Sequence, residues 1–143
     1  MAPLVSSIEI SRPPAEVFAY VTDPAHFAEW QGDVVSARAA SDGRTFTTTR
    51  RIGPKERTFT QEVTDSRPPV HWSARGLDGP LRPSMDMTLE PLADGTASRI
   101  TFALDFAPQG IGVALLPLVR RQAAKGAPIS YRNLKRRLES GAA

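Results

Sequence analysis

VFAYVTDPAHFAEW, Val17 to Trp30, carries four aromatic residues in fourteen and interrupts them with Thr22-Asp23-Pro24. An Asp side chain accepts from the free backbone N–H groups at a helix start, and Pro is pre-set for the first helical position. The stretch therefore predicts two short helices meeting at a corner, not one continuous helix.

Upstream of this corner, Leu4 to Ile10 reads as a short first strand. Downstream, from about Asp33 to Ala107, Thr, Val, Phe and Ile dominate and the punctuation is hairpin-like. Ser41-Asp42-Gly43, Gly53-Pro54 and Ala93-Asp94-Gly95 mark tight turns, and Gly76 to Pro80 marks a looser loop. The pattern predicts a meander of about six strands. Alternation is clearest in SRITFALDF, where Ile100, Phe102, Leu104 and Phe106 share one face and Arg99, Thr101, Ala103 and Asp105 the other. Its expected hairpin partner MDMTLE sets Met85, Met87 and Leu89 against Asp86, Thr88 and Glu90.

A sheet that is apolar on one face must bury that face against something. After Gly110 the period changes: Leu116, Val119, Ala123, Ala127, Tyr131, Leu134 and Leu138 recur at three- and four-residue steps, one stripe of a helix nearly thirty residues long. Pro117 is expected in its first turn. Pro128 falls inside and is expected to kink or interrupt it, with Gly126 weakening it further. The helix is expected to lie bent across the sheet.

This order of elements, together with IEISRPPAEVFAYVTDPAHFAEW at Ile8 to Trp30, LEPLADGTASRITFALDF at Leu89 to Phe106 and NLKRRLE at Asn133 to Glu139, resembles the SRPBCC superfamily. These are the START-like and birch-allergen-like domains, and the likeness is greatest to the branch of small bacterial polyketide cyclase/dehydrase-like proteins. The resemblance spans the chain as a single domain, residues 1–143, and implies an α+β helix-grip fold. In that fold a curved antiparallel sheet of about seven strands wraps a long C-terminal helix. Two short helices after the first strand form a V that seats the far end of the long helix, and a cavity remains between sheet and helix. A common fold hosts many activities, so the resemblance bears on architecture more than on chemistry.

Composition narrows the functions. The chain has 143 residues, 41% apolar and 23% charged, ordinary for a globular domain with its own core. Without cysteine there are no disulfides, thiol nucleophiles or cysteine-bound zinc. The first residues show neither a basic leader nor an apolar signal core, and the longest apolar run, Ile111 to Val119, is too short to span a bilayer. A cytoplasmic protein without stable membrane insertion is expected. Charge is +3, with 18 bases interspersed among 15 acids. The densest basic piece, Arg132 and Lys135 to Arg137, has no interleaved aromatics and reads as a solvated helix face, not a nucleic-acid surface.

The inward phase of the strands nominates a ligand site. Trp72, Met85, Met87, Phe102 and Phe106 are expected to face Leu115, Leu116 and Val119 of the helix, two methionines giving an adaptable apolar wall. With Phe46 and Phe59 facing inward, Thr48, Arg50 and Gln61 join them as polar groups able to orient a carbonyl or hydroxyl, and Arg50 to hold a carboxylate. One strand bulge would reverse this phase. His26 is expected exposed in the second short helix and His71 on the face opposite Trp72. No metal set, phosphate loop or cofactor motif is seen, and no catalytic residue is nominated.

The leading expectation is binding of a hydrophobic or amphipathic small molecule, a lipid, polyketide or aromatic metabolite, by a monomer or homodimer. The likeness to aromatase/cyclases implies an alternative: aldol condensation and dehydration in the same cavity, with Arg50 or Gln61 donating to an enolate and Asp86 a base only if its strand phase were reversed. A third expectation is a protein-interaction module using the basic helix end or a sheet edge. It ranks last, as no exposed apolar stripe is evident beyond the one the sheet needs.

Overall fold

The computed structural model describes residues 3–141. The chain opens with β1 (Leu4–Ile10), then α1 (Pro14–Val21), and a single 3-10 turn, Pro24–His26, leads into α2 (Phe27–Trp30). Asp23 caps that turn by accepting the Ala25 N–H at 3.0 Å, so the Thr22-Asp23-Pro24 interruption is a true corner. Six strands follow: β2 (Val34–Ala39), β3 (Thr45–Ile52), β4 (Lys55–Arg67), β5 (His71–Gly76), β6 (Leu81–Leu92) and β7 (Ala97–Pro108). α3 (Gly112–Glu139) closes the chain. All strand pairs are antiparallel, in the order β1-β7-β6-β5-β4-β3-β2, so the first strand returns to pair with the last. This is the helix-grip α+β arrangement.

Two register shifts shape the sheet, one in β2 between Val34 and Ser36 and one in β4 between Val63 and Asp65. A bulge sharpens local twist and re-aims every later side chain on its strand. In β4 it keeps Val63 opposite Ala74 on the concave side yet brings Asp65 opposite Ser73 on the outer side. Without the extra residue Asp65 would have faced the core.

The core forms where the concave face meets the helices. Aromatic contacts run through it: Phe27 is edge-on to Phe46 and to Trp30, Trp30 adjoins Phe102, and Phe102 stacks on Tyr131 of α3 with ring centroids 4.1 Å apart. α2 is thereby joined to both layers. Aromatic pairs of this kind add about 0.5–1.5 kcal/mol beyond the area they bury.

The two ends of α3 are held differently. At the C-terminal end the Arg12 Nε donates to the Leu138 carbonyl at 2.8 Å, Lys135 Nζ to the Glu9 carbonyl at 2.5 Å, and Glu139 accepts the Ser11 N–H at 2.8 Å. Asn133 also donates to the Trp30 carbonyl at 3.4 Å. At the N-terminal end the hold is a backbone approach: a Cβ at Gly112 would lie 1.7 Å from the Pro80 carbonyl oxygen, which also accepts the Gln109 N–H at 2.7 Å. Only glycine permits that approach.

Three sequence expectations need correction. α3 begins at Gly112, so Pro117 lies in its second turn and not its first. Pro128 does not interrupt the helix, which continues to Glu139, because the side chains on both sides of it, Ala127 and Tyr131, remain packed on the core. The apolar residues at the start of α3 are not all consumed by the sheet: Ile111, Val113 and Leu118 are exposed.

Phe102 is buried at the centre of the aromatic contacts. Phe102→Ala is expected to cost about 3–5 kcal/mol in a urea unfolding titration, the range for deleting a buried aromatic. A cost below about 1.5 kcal/mol, the level of a volume-conserving swap, would show that the stack on Tyr131 is not what couples sheet to helix.

Candidate ligand cavity

Between the concave face and α3 lies a cavity of about 470 Å³, within the range of roughly 300–1,000 Å³ common for small-molecule sites. Its walls are mostly apolar, with Trp72, Met85, Met87, Phe102 and Phe106 from the sheet and Val119 from α3. Gln122, Gly126 and the exposed Ile129 border it on the helix side, and Arg51 and Ile52 at the end of β3 border it opposite. Gln122 Nε2 donates to the Arg51 carbonyl at 3.2 Å, tying helix to hairpin there. A Cβ on Gly126 would meet open space.

Eight of the residues nominated from sequence line this space: Arg50, Gln61, Trp72, Met85, Met87, Phe102, Phe106 and Val119. Three do not. Thr48 is fully buried and its hydroxyl donates to Gln61 Oε1 at 2.9 Å, so its short side chain ends at Gln61 and only the longer one reaches the cavity. Leu115 and Leu116 lie in the first turns of α3, before the helix meets the cavity at Val119. Ile111 to Val119 is apolar all round, so periodicity could not tell which of its sides faces inward.

The polar groups gather in two places. Arg50 Nη1 lies 3.2 Å from each carboxylate oxygen of Asp33, a pair partly open to solvent. Gln61, with its oxygen engaged by Thr48, keeps its amide N–H₂ group free of any partner among the described residues. Tyr131 is the polar group that sequence reading missed, because its place on the apolar stripe marked it as packing. Burial pushes its phenol up to about 12, the Arg50 charge opposing, and its hydroxyl has no hydrogen-bond partner among the described residues. At neutral pH it is a protonated donor beside the cavity. Asp33 and Gln122, also unnominated, carry no periodic signal because one precedes a strand and the other sits beside the apolar stripe.

The outer face holds the other chemically suggestive cluster. His71 faces away from Trp72, as alternation predicts, and its Nδ1 bonds Asp65 while its Nε2 lies 2.6 Å from Asp86 Oδ1. Ser73 Oγ is 3.3 Å from His71 Nε2 and 2.5 Å from Asp86 Oδ1. Serine, histidine and aspartate thus stand in the order of a nucleophile relay beside a shallow depression of about 320 Å³ that Ser73 and Asp86 help line. The chemistry fails on protonation. Both ring nitrogens face carboxylates, which favours the doubly protonated ring, and the Ser73 hydroxyl donates to Asp86 and not to His71, so no free base stands over the serine. Burial alone would lower the His71 pKa, but the hydrogen bonds and charges of Asp86 and Asp65 outweigh it and raise it. Asp86 is likewise held below its ordinary value: burial would raise it, and bonds from Ser73 and His71 lower it. Asp86 on this face cannot serve as a base in the cavity. His26, expected exposed, is half-buried, its Nδ1 3.2 Å from Glu29 and its ring against Tyr20. Among the described residues no group of three or more metal-ligating side chains is placed to hold an ion.

A family model described as polyketide cyclase / dehydrase and lipid transport matches residues 1–139. Among solved structures, a START superfamily protein from Mycobacterium smegmatis superposes with a TM-score of 0.78 at 14% identity, covering 98% of this chain and 99% of its own. The Zhui aromatase/cyclase from Streptomyces sp. R1128 superposes at 0.79 and 11% identity, covering 95% and 94%. A Thermus thermophilus protein does so at 0.79 and 15%, covering 99% of each chain. At these identities the likeness is one of fold. No curated protein matches the sequence.

The His71 clamp joins β4, β5 and β6 and makes stability depend on pH. A folded-state His71 pKa above its ordinary 6.5 means its contribution is complete below that value and is lost as pH rises through the folded pKa. The depressed Asp65 and Asp86 contribute above their ordinary 3.8, and lose that contribution as pH falls through their folded values. His71→Gln is therefore expected to lower Tm most between the ordinary carboxylate and histidine values, about pH 4.5 to 6, and progressively less as pH rises above 6.5 through the folded-state value. A destabilisation that is flat across pH would assign His71 a packing role only.

Proposed function

Since the chain belongs to the polyketide cyclase/dehydrase and lipid transport family, we propose that its cavity binds an amphipathic small molecule with an apolar body, of lipid, polyketide or aromatic type. The observation that carries this reading is the unfilled space of about 470 Å³ walled by Trp72, Met85, Met87 and Phe102. Arg50, Gln61 and Tyr131 all offer donors in its lining, so the polar group of the ligand is an acceptor: a carbonyl, a carboxylate or an ether oxygen. No helix among the described residues is long and apolar enough to cross a membrane. The proposed setting is the cytoplasm, with the protein acting as a carrier or sensor in monomeric or homodimeric form.

The second reading is catalytic. Arg50 and Gln61 both reach the cavity, and in an aldol condensation they would hold the enolate oxygen while a carbon–carbon bond forms and water then leaves. Arg50 is already paired with Asp33, so its service to a substrate requires that carboxylate to be displaced or shared. Unchanged turnover of a polyketide substrate by Arg50→Ala and Gln61→Ala would remove these two residues from any such chemistry.

Anilinonaphthalene sulfonate, an apolar aromatic with an anionic group, is a suitable first probe. It is expected to bind one to one and to quench Trp72, and Gly126→Phe, which projects a ring into open space at the cavity edge, is expected to weaken it roughly tenfold, or about 1.4 kcal/mol. Gly126→Ala is expected to raise stability by about 0.5–1 kcal/mol, as for glycine to alanine in a helix interior. Probe binding unaffected by Gly126→Phe, with stability retained, would place the ligand elsewhere.

A further inference from the structure

The start of α3 leaves apolar side chains in solvent that the fold has no use for. Ile111 is 70% exposed, Val113 64% and Leu118 56%, and Leu77 in the loop whose Pro80 abuts Gly112 is 38% exposed. Seven-residue steps along a helix return to nearly the same face, so Ile111, Leu118 and Lys125 are aligned, with Ile129 four residues further on. Ile129 is half-exposed and also borders the cavity. The apolar stripe therefore starts at the helix tip and runs to the cavity edge.

Charge on this helix is of one sign until its last residue, Glu139. Arg120, Arg121, Lys125 and Arg132 precede any acid, and Glu139 is the sole carboxylate in α3. The side chains of Arg121, Lys125 and Arg132 make no ion pair or hydrogen bond among the described residues, and neither do those of Lys55 and Arg57 near the hairpin across the cavity edge. A second copy packed on this face would set Arg121 and Lys125 against their own counterparts with no carboxylate on the helix to answer them. An anionic, deformable, apolar medium answers both features at once: the exposed apolar side chains at the helix start need an apolar environment, and the adjacent cations need phosphate or carboxylate.

We propose that the first half of α3, with the Leu77 loop, is a docking surface for the anionic face of a lipid bilayer, Ile111 and Leu118 entering the interface while Arg121 and Lys125 pair with headgroups. The contact is peripheral and reversible. It does not depend on what the cavity holds, although it turns the Ile129 edge of the cavity toward the bilayer.

Flotation with phosphatidylcholine vesicles, and with vesicles in which roughly one-third is phosphatidylserine, tests the surface. The wild-type protein is expected to float with the anionic vesicles only, and less so as salt is raised. Leu118→Asp is expected to weaken flotation about tenfold or more, and Arg121→Ala with Lys125→Ala about fivefold for each cation removed. These residues are exposed, so thermal melts should be unchanged. Leu118 does not line the cavity, so probe binding there should also be unchanged in Leu118→Asp, which separates a failure of docking from a failure of the cavity reading. The proposal is overturned by equal flotation with both vesicle types or by Leu118→Asp floating like wild type. It is equally overturned by a sedimentation dimer that Leu118→Asp dissociates, which would assign the face to self-association. Failure to float together with binding to polyglutamate would assign it to an acidic protein.

Discussion

A seven-stranded antiparallel sheet with one apolar face has a single long covering element, α3, with only the short α1 and α2 packed beside it, and every other feature adjusts to that constraint. α3 is one helix, about 10–12 Å across with its side chains, laid on a sheet wide enough to curl around it. A helix cannot reach all of a curved surface. Where the curvature is taken up by the stacked aromatics, between Phe102 and Tyr131, contact is dry and close. Where it is not, between Val119 and Ala127 on the helix and Phe59 to Phe106 on the sheet, the surfaces part and leave the cavity. The hollow is thus a consequence of covering a broad curved sheet with a narrow rod.

The ends of the rod explain why it does not settle further into the sheet. Hydrogen bonds from Arg12, Lys135 and Ser11 fix its C-terminal turns to β1 and the β1–α1 connection, and Asn133 reaches α2. At the other end the Gly112 backbone rests against Pro80. Between these two points the helix passes over the cavity with Gly126, Ala123 and Ala127 presenting little side-chain volume. Small residues there hold the space open as effectively as large ones would close it.

Much of this was legible in the residues themselves. Asp23-Pro24 marked the corner, SRITFALDF and MDMTLE marked a one-sided sheet, and the Tyr131–Leu134–Leu138 spacing marked the covering helix, because period and turn chemistry are local properties. What sequence could not supply depended on global geometry. Thr48 and Gln61 share one phase, and only side-chain length in three dimensions decides that one reaches the cavity while the other supports it. Leu115 and Leu116 belong to a segment that is apolar on all sides, where periodicity carries no direction. Asp65 was unreadable for a different reason: a single extra residue in β4 moved it from the core phase to the outer face, beside a histidine on the neighbouring strand.

That bulge shows how one local irregularity separates two kinds of chemistry on the same sheet. Every ionised carboxylate brought to His71 lies on the outer face, where the imidazolium and Ser73 satisfy it. The concave side keeps neutral donors, Gln61 and Tyr131, and the Arg50 cation, already balanced by Asp33. A carboxylate on the inward phase of β4 would have required a buried partner or a neutral, protonated form. With it turned outward, the cavity wall stays mostly apolar, and the polar side chains that line it beside the Arg50–Asp33 pair are neutral or cationic donors.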